Sequence, residues 1–428
     1  MGTWKINKTA SAVISYLPVV SMLALVATLP FYYGSCQRMA LYCLGVTYLV
    51  HYIYNRCWES LRWDRTSWVF LAMILWFLIT PLWQLWDPTP PTYFYHRQID
   101  ARIPFLLVGL AGLLGGLKRL RAEWVGWLML TMGVVVGAIS LYYMYTGGFL
   151  REGWDYYIAE VRAAHINSHM VLNLYQNGAI ILGYYILSRP YRWWVKLLTG
   201  LLIVLNMAVV ITSFGRTGML TMLLLLAVYL FVLLWQYRKA VAVVVGCLVL
   251  AGGLAFFSQS RRFDGNCMRE EPRWIIWDYS MQLIRERPVV GYGLSTLSEV
   301  YVNSTSSHET MQRDFIDAYI NNPGFLWYNM PKTMEIVHPH NVFLEYWLEA
   351  GIFGLLAVAF FFATLAMMPT KKQRLYVWMF ALALLMQFMF EPIGSHLRPM
   401  FISLMVLIWA CAVREEVAVS APDHTELG

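Results

Sequence analysis

Two histidines stand in the segment Val337-His338-Pro339-His340-Asn341, which runs directly into the apolar stretch opened by Val342 and Phe343. An unperturbed imidazole titrates close to physiological pH, so a histidine at the mouth of an apolar helix is placed to take a proton from a reacting hydroxyl. The plainer use of such a pair is to cap or pack the helix. As a metal site it is incomplete, because zinc generally asks for three or four ligands and no third partner has recognisable spacing. No metal and no other cofactor is expected. Glu345 and Glu349 follow at i, i+4 on one face of the same stretch. Carboxylates inside an apolar helix are functional candidates by default, and pairing with an arginine is the readier role for them.

Two arginines have settings that suggest anion binding. Arg216 lies in Ser213-Phe214-Gly215-Arg216-Thr217-Gly218, a short turn between two long apolar runs. Arg273 heads the segment from Pro272 to Ile284, in which Trp274, Trp277, Met281 and Ile284 recur at helical spacing. That pattern predicts an amphipathic helix lying on a membrane, with Pro272 suited to its first turn. A guanidinium presents a planar fork that grips phosphate through two hydrogen bonds, and the open amides of a helix start add to such a site. Anchoring at lipid head groups is the bland alternative for any one arginine. Arg285 and Arg287 then precede Pro288 and a Gly291-Tyr292-Gly293 turn, which ends the helix.

The elements that must carry these residues are membrane spans. Of 428 residues, 59% are apolar and 13% charged, far from the balance of a soluble protein. The apolar residues come in blocks long enough for a helix to cross a hydrocarbon core of roughly 30 Å. About twelve spans are predicted, near 11–31, 37–55, 67–86, 103–118, 124–146, 170–188, 194–213, 217–236, 240–258, 342–367, 376–393 and 397–413. The first is too long for the apolar region of a removable signal, so it is expected to stay. The chain divides into 1–258 with nine spans, a large loop at 259–341, and 342–428 with three spans and a short tail, all one membrane domain.

Positively charged loops resist translocation, which orients the spans. Arg56, Arg62 and Arg65; Lys118, Arg119 and Arg121; Arg189, Arg192 and Lys196; Arg238 and Lys239; and Lys371, Lys372 and Arg374 fall on alternate connections and are expected in the cytoplasm. The turn at Arg216, the segments Asp87 to Ala101 and Gly147 to His169, the turn holding His396 and Arg398, and the large loop then share the opposite side. Basic residues on that side are arginine, Lys332 excepted.

Other classes are disfavoured. There is no G-x-x-x-x-G-K-[ST] phosphate loop and no D-x-D pair to hold a nucleotide-sugar metal complex. The six cysteines are scattered, and only Cys36 and Cys267 could meet on the outer side, so no disulfide framework is indicated. The net charge of +7 is spread over short loops, which gives nucleic-acid binding no support.

Arg216 in a short outer turn, Arg273 followed by an amphipathic helix and a Pro-x-x-Gly-x-Gly turn, and His340-Asn341 followed by Gly351 and Gly354 together resemble the O-antigen ligase family. The wider superfamily includes O-antigen polymerases and protein O-oligosaccharyltransferases; the lack of a larger C-terminal extension after Glu415 favours the ligase. The resemblance implies an all-α integral membrane protein of the glycosyltransferase C type, with amphipathic helices in a large periplasmic loop. It implies transfer of O-antigen from undecaprenyl diphosphate to a sugar hydroxyl of the lipid A-core oligosaccharide, on the periplasmic face of a Gram-negative inner membrane. His338 or His340 would then be the base, and Arg216 and Arg273 would hold the diphosphate, with Arg162 and Arg398 as further candidates. A polymerase is the alternative within the superfamily. A lipid or polysaccharide transporter is the alternative outside it, although no internal repeat is evident.

Overall fold

A chain in hydrocarbon must satisfy every backbone N–H and C=O within itself, and this one does so with α-helices. The computed structural model describes residues 8–31, 34–60, 63–114, 119–146, 169–213, 215–258, 273–297, 299–300, 339–367 and 374–390. The helices are α1 (Lys8–Thr28), α2 (Gly34–Tyr54), α3 (Arg65–Gln84), α4 (Tyr93–Leu113), α5 (Ala122–Thr146), α6 (His169–Ser188), α7 (Trp193–Thr212), α8 (Arg216–Trp235), α9 (Lys239–Ser258), α10 (Arg273–Glu286), α11 (Val342–Met367) and α12 (Arg374–Phe390). Helices therefore stand at each expected span position except 397–413, which lies outside the described residues. Among them α1, α3, α5, α7, α8 and α11 are long and apolar enough to cross a membrane.

Neighbours in sequence pack as antiparallel hairpins: α1 with α2, α3 with α4, α6 with α7, and α8 with α9. α11 lies on α3, α5 on α6 and α7, and α12 against α6, α8 and α11. Trp76 of α3 forms the centre of one core region, stacked on Phe105 at 4.9 Å and met edge-on by Tyr346, Phe361 and Phe388. Without a hydrophobic force between helices in lipid, close approach depends on small residues. Gly137 of α5 provides one, since a β-carbon there would strike Val209 of α7.

Two boundaries differ from the sequence reading. α4 begins at Tyr93, about ten residues before the expected start, because Thr92 caps it by accepting a hydrogen bond from Tyr95 N–H. Its first turns carry Arg97, Gln98, Asp100 and Arg102, and hydropathy discounts polar residues even when a helix buries them. α11 is broken: Ala350 (φ −128°) and Gly351 (φ +60°) leave the helical region, where hydropathy predicts one uninterrupted span.

Candidate active site

The amphipathic helix is present as α10, and protein covers a stripe beside the one expected to lie on the membrane, with Ile284 common to both. Ile276, Tyr279, Ser280, Leu283 and Ile284 are covered, while Trp274 is 49% exposed and Trp277 and Met281 are half-buried. Trp274-Ile275-Ile276-Trp277 is apolar at four consecutive positions, so spacing alone fits more than one stripe. What selects the stripe is protein: the buried side chains pack with Leu348 of α11 and with Tyr292 and Leu297.

The two glycine motifs form one joint. Because α11 breaks after Glu349, its last carbonyls are open. Leu348 O accepts from Tyr292 N–H and Glu349 O from Gly293 N–H, each at 2.9 Å, while Ile352 N–H donates to Pro288 O at 3.1 Å. Gly291 (φ +66°) and Gly351 (φ +60°) face each other so closely that a β-carbon on Gly291 would lie 2.6 Å from Gly351 N. Only glycine suits both the backbone angle and the space. Trp347 and Trp83 add indole N–H bonds to Pro288 O at 3.0 Å and Val290 O at 2.7 Å. Burial and a 2.7 Å hydrogen bond to Glu286 push the Tyr292 phenol well above the ordinary tyrosine range, so it remains a donor at any physiological pH.

At the other end of this short helical piece, Asn341 caps α11. Its Oδ1 accepts from Phe343 and Leu344 N–H at 2.9 and 3.1 Å, and its Nδ2 donates to Met389 O on α12 at 3.2 Å. His340, half-buried, has φ +52°, a left-handed conformation that turns the chain sharply into the cap. The preceding carbonyl, Pro339 O, accepts a 2.9 Å hydrogen bond from the Trp277 indole of α10, whose ring also meets Phe390 at 6.0 Å. Arg273 is one helical turn before Trp277, on the same face of α10. The first turn of α10 and the entrance to α11 thus belong to one junction.

Arg216 opens α8, with Gly215 as N-cap and no side-chain cap. The turn is held by α6: Ser213 Oγ donates to Asn173 Oδ1 at 2.5 Å, and Asn177 Nδ2 donates to Gly218 O at 3.1 Å. A β-carbon on Gly218 would lie 2.5 Å from Asn173 Cβ, which explains the glycine. The far ends of these helices are tied by tyrosines. Tyr184 stacks on Tyr229 at 3.9 Å, and Tyr376 Oη reaches Tyr184 O at 3.4 Å. From that level, at 1.5 Å per residue, α8 rises about 20 Å back to Arg216 and α12 about 21 Å on to Phe390. Arg216 and the His340 junction consequently occupy the same end of the bundle. His338, Arg162 and Arg398 lie outside the described residues.

Residues 201–359 match the O-antigen ligase family model. The match spans the second half of α7 to just past the break in α11, and so takes in Arg216, Arg273, His338, His340 and both glycine motifs. The match supports the O-antigen ligase superfamily, whose ligases and polymerases it does not separate. No curated protein matches the chain.

Several residues around this site escaped sequence reasoning. Arg102 of α4 is fully buried, 2.7 Å from Glu349, and so supplies the arginine partner that Glu349 was expected to have. The expected edge of the fourth span fell one residue beyond it. Asp87, after α3, caps the turn of helix at 294–297 by accepting from Ser295 and Thr296 N–H at 2.9 and 3.1 Å. Asn173 and Asn177 did leave a signal, two amides at i, i+4 in an apolar span. Among the described residues, no group of three or more His, Cys, Asp or Glu is arranged to hold a metal ion.

Proposed function

We propose that the protein is an O-antigen ligase, a glycosyltransferase that moves O-antigen polysaccharide from undecaprenyl diphosphate to a sugar hydroxyl of the lipid A-core oligosaccharide. The reaction is read as taking place on the periplasmic face of a Gram-negative inner membrane. The observation that carries this reading is the Trp277–Pro339 hydrogen bond, which joins the helix headed by Arg273 to the turn containing His340. In this reading the helix that carries the phosphate-binding Arg273 is tied to the turn that carries the base, at the bundle end that also holds Arg216.

Displacement of a diphosphate needs the leaving charge stabilised and the attacking hydroxyl relieved of its proton. In this reading Arg216 and Arg273 hold the diphosphate, with Arg162 and Arg398 as further candidates. His340, or its neighbour His338, takes the proton as the acceptor oxygen bonds to the anomeric carbon. The bond from that carbon to the diphosphate oxygen breaks in the same step, so the anomeric configuration inverts and no covalent enzyme intermediate forms. Guanidinium groups supply the charge that a metal would otherwise provide.

The test is transfer by purified protein in liposomes, given undecaprenyl-diphosphate-linked oligosaccharide with and without lipid A-core. Sugar appearing on the core alone, and lost in Arg216→Ala and His340→Ala, is the expected result. Lengthening of the lipid-linked chain without core would make the enzyme a polymerase instead. Absence of both reactions would overturn the enzymatic reading and favour transport.

A further inference from the structure

We infer that Arg102 and Glu349 are positioning residues for the transfer reaction: their buried ion pair fixes the rotation of the helical piece 342–349 and, through it, the placement of His340 and Arg273. The inference rests on the transferase reading for its consequence but not for its geometry.

Arg102 Nη1 lies 2.9 and 2.7 Å from the two oxygens of Glu349, and Thr80 Oγ1 donates to Glu349 Oε1 at 2.6 Å. Arg102 Nη1 also reaches Thr80 Oγ1. The guanidinium sits 4.5 Å over the Tyr346 ring and 3.6 Å from Glu345, and Arg102, Thr80 and Glu349 are each 0% exposed. A buried ion pair is a poor device for stability alone, since well-packed apolar side chains of like volume often serve as well. What it adds is direction, because a carboxylate whose two oxygens both meet Nη1, and whose Oε1 also accepts from Thr80, is held in one orientation.

That orientation matters because of where Glu349 stands. It is the last residue before the break at Ala350 and Gly351, so the rest of α11 cannot hold the piece 342–349 in register. Its side chain is fixed to α3 and α4, while its backbone carbonyl receives Gly293 N–H from the turn that follows α10. The other end of the piece is Asn341, next to His340. Each residue advances a helix by about 100°, so a slip of one position at Glu349 would swing His340 away from the Trp277 junction. The same slip would move the carbonyls on which the α10 turn is docked. The pair therefore couples the membrane body, through α3 and α4, to the arginine-bearing helix and the histidine together.

The experiment compares wild type with Arg102→Met/Glu349→Met, which removes both charges without leaving one unpaired, and with Arg102→Lys, which keeps the charge but loses the planar guanidinium over Tyr346. Register is read by disulfide trapping between Val289→Cys and Ile352→Cys in a background with the native cysteines replaced. Both positions are exposed, and Ile352 N lies 3.2 Å from Val289 O. The double methionine variant is expected to keep its thermal midpoint, to trap at least about tenfold more slowly, and to lose at least about tenfold in kcat with KM for the lipid-linked donor little changed. Arg102→Lys should recover part of both losses. A folded double variant with unchanged trapping would overturn the inference, as would slowed trapping with unchanged kcat. If wild type transfers no sugar, the transferase reading fails, and the inferred role in the reaction fails with it; trapping then decides only whether the pair sets register. If the double variant fails to fold, Arg102→Lys carries the test, with unchanged trapping and kcat counting against the role.

Discussion

At the scale of single residues, the proposed site divides into side chains that the chemistry would use and side chains that only support them. His340, Arg216 and Arg273 stand out because an imidazole beside an apolar run and arginines at helix starts are unusual in themselves. Arg102 did not stand out, because a charge at the edge of a hydropathy window reads as the edge. His340→Asn gives a direct test of the assigned base. Asparagine tolerates the φ of +52° found there and has no titratable nitrogen. Transfer should fall about 10²- to 10⁴-fold while the thermal midpoint holds, measured by sugar transfer and tryptophan fluorescence on the same preparation.

At the scale of elements, the positions of helices were readable and their interruptions were not. The run Val342 to Met367 carries only Glu345 and Glu349 as charges and keeps the hydropathy of a single span, so hydropathy does not mark the break, whereas the spacing of Gly351 and Gly354 does mark a motif. The structural meaning of that motif needs its partner. Gly351 meets the backbone of Val289, and Gly354 meets Tyr346 O, so both sites have no room for a side chain. The amphipathic helix likewise stands where its spacing placed it, while the stripe that protein covers was not readable, since it depends on α11. Trp277→Phe isolates one link of this assembly by keeping a ring and removing the indole N–H. The loss should be about 1 kcal/mol of local stability. Protection of the 339–341 backbone from hydrogen exchange should fall, and kcat should fall by a few fold, with α10 itself still helical by circular dichroism.

At the scale of the whole molecule, composition alone made the membrane character plain, because no soluble core could enclose so many apolar residues. Which of those residues meet protein and which meet lipid was not readable, since both surroundings are apolar. Trp76 and Trp193 show the difference: the first is 2% exposed among four aromatic rings, the second 76% exposed. Trp76→Ala should cost about 3–5 kcal/mol and lower the thermal midpoint in detergent by several degrees or more. Trp193→Ala should stay within about 0.5 kcal/mol of wild type.

The docking of the 288–296 turn also bears on how such a protein can be recombined. That turn is gripped by Trp83, Gln84 and Asp87, and the break in α11 by Thr80 and Arg102, all of which precede the family-matched segment 201–359. The segment that bears the family signature is thus not a transplantable cassette. Exchanged between relatives by itself, it would arrive without its seat. Exchanged together with α3 and α4, it would carry both halves of the joint, so inherited crossovers that preserve activity should keep these two distant stretches of chain from the same parent.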